Sequence, residues 1–170
     1  SIMTYTVTGT GGCADATATA TVTVTAVPTA GTITGTTAIC ANGSSTLTSS
    51  VTGGTWSSAT TAVATIDAST GAVTGVSAGT SVMTYTVTGT GGCANVSTTA
   101  TVVVTAVPSA GTISGTTAIC ANGSTTLSSN GDAGGACSSE KPADQPNNAK
   151  KGEVTGVSAG TSVMTYTVSG

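Results

Sequence analysis

Apolar and polar positions alternate strictly along several stretches of this chain. Ser1–Thr8 sets Met3, Tyr5 and Val7 against Thr4, Thr6 and Thr8. Ala16–Val27 sets Ala18, Ala20, Val22, Val24 and Ala26 against Thr17, Thr19, Thr21, Thr23 and Thr25. A period of two is the mark of a strand with one buried face, and Thr and Val both suit a pleated, half-buried surface. Val22 and Val24 are therefore expected in a core, with the Thr series outside. Glycine clusters such as Gly9–Gly12 separate the runs and mark turns. The expected fold class is all-β.

The pattern repeats. SIMTYTV at Ser1–Val7 recurs within Gly71–Val87 (GAVTGVSAGTSVMTYTV), and nearly all of that stretch returns at Glu153–Val168. Ser1 corresponds to Ser81, Cys13 to Cys93, Pro28 to Pro108 and Cys40 to Cys120. These pairs stand 80 residues apart. One residue is inserted after Leu127, so Gly75 corresponds to Gly156 and Ser81 to Ser162. Self-similarity at a fixed period signals a repeat architecture. The chain reads as the C-terminal part of one module (1–28), a complete module (29–108) and the N-terminal part of a third (109–170). Val27–Gly31 and Val107–Gly111, each with a central proline, are the expected short links, because proline suits a strand end and cannot donate to a ladder.

Within 29–108 the pattern predicts strands near 31–34, 45–50, 54–58, 63–66, 73–76, 80–88 and 97–107. Seven short strands in so few residues indicate a two-sheet sandwich. The expected core is Ile33, Leu47, Trp56, Val63, Ile66, Val73, Val76, Met83, Tyr85, Val87, Val102 and Val104.

In Gly54–Val87 the sequence becomes specific. A Trp56-Ser-Ser strand is followed by Val63-Ala-Thr-Ile-Asp67, by Gly71-Ala-Val-Thr-Gly75 and by Ala78-Gly-Thr-Ser-Val-Met-Thr-Tyr-Thr-Val87. This succession resembles the group 2 bacterial immunoglobulin-like domain of invasin- and intimin-type adhesins. The Thr-rich repeats with a cysteine pair are similar to those in long surface proteins of Bacteroidetes-type bacteria. The resemblance implies tandem Ig-like sandwiches with a period of about 80 residues, an extracellular or bacterial cell-surface location, and a structural or adhesive role without catalysis.

Composition narrows the chemistry. The 170 residues carry three Lys or Arg, six Asp or Glu and no His, for a net charge of −3. Nothing basic could follow a phosphate backbone, so nucleic acid is not an expected partner. No apolar run approaches the roughly 20 residues of a membrane-spanning helix. The chain opens in mid-repeat, so an export signal is expected upstream of it or already removed. With no His, and with Asp15 and Asp67 the only charges outside 130–153, the abundant Ser and Thr have no base to activate them. No enzyme activity, cofactor or metal site is expected. Asp67 is read as support for the turn before Gly71, and Asp15 as dispensable in its charge, since Asn95 replaces it in the next copy.

Cys13 and Cys93 share the setting GTGGCA, and Cys40 and Cys120 share TTAICANGS. Identical settings once per repeat fit structural disulfides in an oxidising compartment, with free buried thiols as the alternative. The expected pairs are Cys40 with Cys93 inside the complete module, and Cys13 with Cys120 across a subunit or module boundary. The first would close a loop of about 54 residues, worth roughly 4 kcal/mol on a chain-entropy estimate.

The third module departs from the pattern. Cys137 stands where Trp56 stood, and Ala59–Ala72 is replaced at equal length by Glu140–Glu153 (EKPADQPNNAKKGE). Pro142 and Pro146 argue against a regular strand, so an exposed loop is expected. Glu140, Lys141, Asp144, Lys150 and Lys151 are its candidate binding residues if the protein is a ligand-binding module.

Three features have weaker functional readings. The Thr17–Thr25 ladder resembles an ice-binding array, although sheet twist and Val103 in the second copy weigh against it. Asn42, Asn95 and Asn122 match the glycosylation acceptor pattern. Trp56 is read as core, with sugar stacking as the alternative.

The expected partners are further copies of this chain, or of its repeats. Residues 10–28 are the piece that the third module lacks, so they are expected to complete it head to tail, by strand addition or through chain continuity.

Overall fold

A computed structural model describes residues 1–141, the main chain of 147–148, and residues 152–170. All regular structure among them is β. The chain forms two compact units, Ser1–Ala106 and Val107–Gly170.

The first unit begins with a hairpin of β1 (Ile2–Val7) and β2 (Ala16–Thr21), paired from Ile2↔Thr21 to Val7↔Ala16. Every residue of both strands is exposed. Val22 and Val24 are exposed as well, at 48% and 88%. The expectation that they lie in a core is not met, because among the described residues the hairpin has no second sheet against it.

The middle module then contributes eight strands: β3 (Ile33–Gly35), β4 (Ala38–Cys40), β5 (Ser44–Ser49), β6 (Thr55–Ser58), β7 (Ala64–Ile66), β8 (Ala72–Gly75), β9 (Gly79–Val87) and β10 (Val96–Thr105). They make two four-stranded sheets, β3-β5-β8-β7 and β4-β10-β9-β6. The long β9–β10 hairpin is antiparallel from Val96↔Val87 to Val104↔Gly79, and β4 adds to β10 in parallel through Ala38–Cys40.

The alternation decides the core between the sheets. On β9, Ser81, Met83 and Tyr85 are buried, while on β10 Val102 and Val104 are. These pack with Ile39, Leu47, Trp56, Ala64 and Val73. Ile33, Val63, Ile66 and Val87 are partly buried against them. Val76 is 48% exposed, contrary to expectation. It lies three residues from Val73, so period two turns it outward, and Gly75 takes the inward place.

Two polar devices lock the layers. Tyr85 Oη accepts from the Gly54 N–H at 2.8 Å and donates to the Val51 carbonyl at 2.8 Å, while its ring lies 4.8 Å from that of Trp56. Buried Ser81 bonds Ser58 Oγ at 2.9 Å and accepts from the Thr60 N–H at 3.1 Å, and Ser58 donates to the Ala64 carbonyl. Such groups are costly to bury unless paired.

The second unit repeats part of this plan in shorter strands, with no counterpart of β4 or β10 among the described residues: β11 (Ile113–Ser114), β12 (Ser124–Thr126), β13 (Ser128–Ser129), β14 (Ala136–Ser139), β15 (Asn147–Asn148), β16 (Glu153–Thr155) and β17 (Met164–Thr167). Tyr166 bonds Gly135 N–H and the Asp132 carbonyl as Tyr85 bonds its counterparts. Within the stretch expected to be a loop, Asn147–Asn148 forms a two-residue strand on β16. The expectations for Pro142, Asp144, Pro146, Lys150 and Lys151 lie outside the described residues.

Candidate functional site

Among the described residues the β1–β2 hairpin has no further strand beside it, and β17 has no strand beside it other than β14. In the middle module β10 covers the core, and Leu47, Met83 and Val102 are wholly buried. In the second unit β14 pairs with β17 as β6 pairs with β9, from Ala136↔Thr167 to Ser139↔Met164. No strand lies along the other edge of β17 among the described residues. Leu127, Met164 and Tyr166 are only partly buried there, in contrast to Leu47, Met83 and Tyr85. A cavity of about 660 Å³ opens between Leu127, Cys137, Val154, Met164 and Tyr166. Cys137 pairs with Tyr166 where Trp56 pairs with Tyr85, so a small side chain widens the same space.

Residues 1–28 carry the matching surface. Ile2, Met3, Tyr5 and Val7 are 69%, 60%, 72% and 51% exposed. Met83 and Tyr85, the counterparts of Met3 and Tyr5, are buried, at 0% and 5%, whereas Val82, the counterpart of Ile2, is 39% exposed. Val22 and Val24 correspond to Val102 and Val104, which are 0% and 3% exposed in the middle module.

The cysteines do not pair as expected. All five are free. Cys40 is in register with Thr105 at one end of β10, whereas Cys93 precedes the other end, Val96. A ten-residue strand spans roughly 30 Å, far beyond the ~7 Å Cα separation that a disulfide tolerates. A Cys40–Cys93 bridge within the module is therefore excluded. Cys13 and Cys120 occupy the same two module positions, so their pairing through a completed third module meets the same obstacle.

The remaining candidates are placed as follows. Glu140 and Lys141 are exposed, and the Lys141 N–H bonds Ser139 Oγ and Ser162 Oγ. Asp67 caps its turn by accepting from the Ser69 and Thr70 N–H groups and from Thr70 Oγ1, at 3.0, 2.7 and 2.8 Å. The Thr70 and Ser69 bonds hold its carboxyl below the usual carboxylate range. Asp15 accepts from the Gly9 N–H at 2.9 Å, and Asn95 does the same for Gly89. The shared requirement is an oxygen acceptor, and the charge is incidental. Thr23 and Thr25 fall beyond β2, so the Thr ladder in the sheet stops at Thr21. Asn42 and Asn122 sit in exposed turns at φ 64° and 62°. No group of three or more potential metal ligands lies together among the described residues, and no helix there is long and apolar enough to cross a membrane.

No family model matches the chain, and no curated protein does. Among solved structures, domains 1–6 of the surface layer protein SbsC are similar, at 20% identity and a TM-score of 0.42. That likeness covers 99% of this chain and 30% of the other, so the chain spans under a third of its neighbour's length. Domains 4 and 5 of the same S-layer protein match over 79% of this chain and 96% of theirs, at 19% identity and a TM-score of 0.38. The resemblance to the group 2 Ig-like domain thus rests on the motifs of Gly54–Val87.

Proposed function

We propose that this is a structural protein of the bacterial cell surface, whose sandwich modules join end to end as a fibre or an adhesin stalk. We further propose that separate copies join head to tail, with Ala16–Val27 of one copy taking the place of β10 in the third module of another. What supports this reading is the complementarity of two surfaces. The exposed hairpin has nearly the sequence of β9–β10, which closes the middle module, and the edge of β17 away from β14, beside the smaller cleft lined by Ile119, Ser162 and Met164, is where the counterpart of β10 would lie.

The exchange is close to like for like. β2 leaves β1 (IMTYTV) to pair with Val163–Val168 (VMTYTV), so the ladder hydrogen bonds lost are regained. The net gain is burial of Val22 and Val24, each worth roughly 1.5–3 kcal/mol when taken fully out of water. A heterologous contact that does not close a ring propagates as a filament.

The test uses Val22→Asp combined with Val24→Asp. Both side chains are exposed in the free chain, so its fold tolerates the change. Light scattering should show concentrated parent protein growing into polymers and the double variant remaining monomeric. A parent that stays monomeric, or a variant that polymerises equally well, defeats the head-to-tail reading.

A further inference from the structure

We infer that the repeat's two cysteines bridge consecutive modules, from the Cys40 position of one module to the Cys93 position of the module that follows. This rests on reading the repeats as an array. It does not depend on separate copies assembling, which light scattering tests by itself.

The two sulfurs stand at opposite ends of a module, and each faces the same feature of the repeat. Cys93 lies in the turn between β9 and β10, with its Sγ 3.8 Å from the Thr25 carbonyl oxygen and 3.9 Å from that of Ala26. These residues belong to the segment that leads into the module. Gly91 in the same turn sits so close that a Cβ there would fall on Thr25 Oγ1. The turn is thus seated on the end of the preceding repeat.

At the other end of the module, Cys40 is in register with Thr105, and Thr105 Oγ1 lies 3.7 Å from Cys40 Sγ. The next residue, Ala41, donates its N–H to the Thr105 carbonyl at 2.8 Å. Thr105 is the repeat counterpart of Thr25, and both are followed by Ala-Val-Pro.

Placing a preceding module by this equivalence sets its Cys40-position residue beside Thr25. The residue after that cysteine would then donate to the Thr25 carbonyl, which Cys93 Sγ already approaches. Both cysteines would flank a single peptide group, within the reach that a disulfide needs. The same geometry separates Cys40 from Cys93 inside one module and brings the two positions together across a junction.

The bond forms by thiol–disulfide exchange with a small-molecule disulfide such as oxidised glutathione. One protein thiolate attacks its S–S bond and expels one glutathione thiolate. The second protein thiolate then attacks the mixed disulfide and expels the other. Two protein thiols lose their hydrogens and are oxidised, while one glutathione disulfide is reduced to two thiols. The product staples each Pro-containing link in parallel with the main chain, so a pulling force no longer passes through the link alone.

The experiment places a copy of residues 29–80 before Ser1, which completes a module around β1 and β2 and supplies a copied Cys40. After treatment with oxidised glutathione and digestion without reduction, mass spectrometry should find the copied Cys40 joined to Cys93. That peptide should vanish in Cys93→Ser. Both thiols remaining alkylatable, or the copied Cys40 joined to Cys13, overturns the inference. Should the added segment fail to fold, Ala26→Cys in the chain as it stands probes the same junction. It should crosslink to Cys93, and failure to do so refutes the seating of Cys93 on Thr25–Ala26.

Discussion

Tyr85→Phe removes one oxygen from the middle module and leaves everything else in place. That oxygen accepts from the Gly54 N–H and donates to the Val51 carbonyl, both at 2.8 Å, on a side chain only 5% exposed. The ring keeps its contact with Trp56 at 4.8 Å, so no packing is lost. Each bond contributes about 1 kcal/mol net, and a buried group left unsatisfied costs about 1–3 kcal/mol. Gly54 and Val51 are partly buried, which points to a loss of about 2 kcal/mol.

The chain has a single tryptophan, Trp56, so its fluorescence reports on the middle module alone. With a urea m-value near the low end of the ~1–3 kcal/mol/M range, the midpoint should fall by roughly 1–2 M with an unchanged slope. Tyr5→Phe is the internal control, because the same MTYTV sequence there leaves Tyr5 72% exposed. It should move the midpoint by less than about 0.3 M, in keeping with a change of under ~0.5 kcal/mol for an exposed site. Equal shifts for the two variants would refute the reading of Tyr85 as a two-sided tie between turn and sheet.

Two further outcomes follow from backbone and charge. Gly71 adopts φ 73°, and a Cβ there would fall on the Leu47 carbonyl oxygen and lie 3.0 Å from Trp56 Nε1. Gly53 has φ 85° with open space around it. Gly71→Ala should therefore abolish the cooperative Trp56 transition or lower it by more than ~3 kcal/mol, while Gly53→Ala should cost only about 1 kcal/mol, the left-handed strain alone; similar losses would contradict the clash. Asp67 has a folded pKa below its unfolded one, so the stability it lends is present above the unfolded value, near pH 4. It is lost as the pH falls from there through the folded value. Asp67→Asn should flatten that part of the acid limb in thermal melts, and an unchanged pH profile would count against the cap.

What could be read from the sequence follows from how local each signal is. Gly79–Val87 and Val96–Thr105 alternate over many residues, and both form the strands expected of them. The Ala38–Cys40 strand was not legible, nor was buried Ile39. Three residues carry no periodicity, and their pairing is parallel, with Val103–Thr105 far along the chain. The cysteine settings showed which positions are equivalent and said nothing of distance. Only the length of β10 shows that Cys40 and Cys93 belong to different ends. The cavity of the second unit depends on Cys137 in place of Trp56, an exchange legible in the sequence, whose consequence emerges once Tyr166 and Leu127 are seen around it.

Modules that continue one another in a row, each closed by a strand of β10 type, would be visible by electron microscopy of the protein at high concentration. A strand of ten residues spans roughly 30 Å and the turns at its ends lengthen the module further, so unbranched filaments with beads every ~35–45 Å are expected. Isolated compact particles, with Val22 and Val24 as exposed as in the single chain, would contradict it.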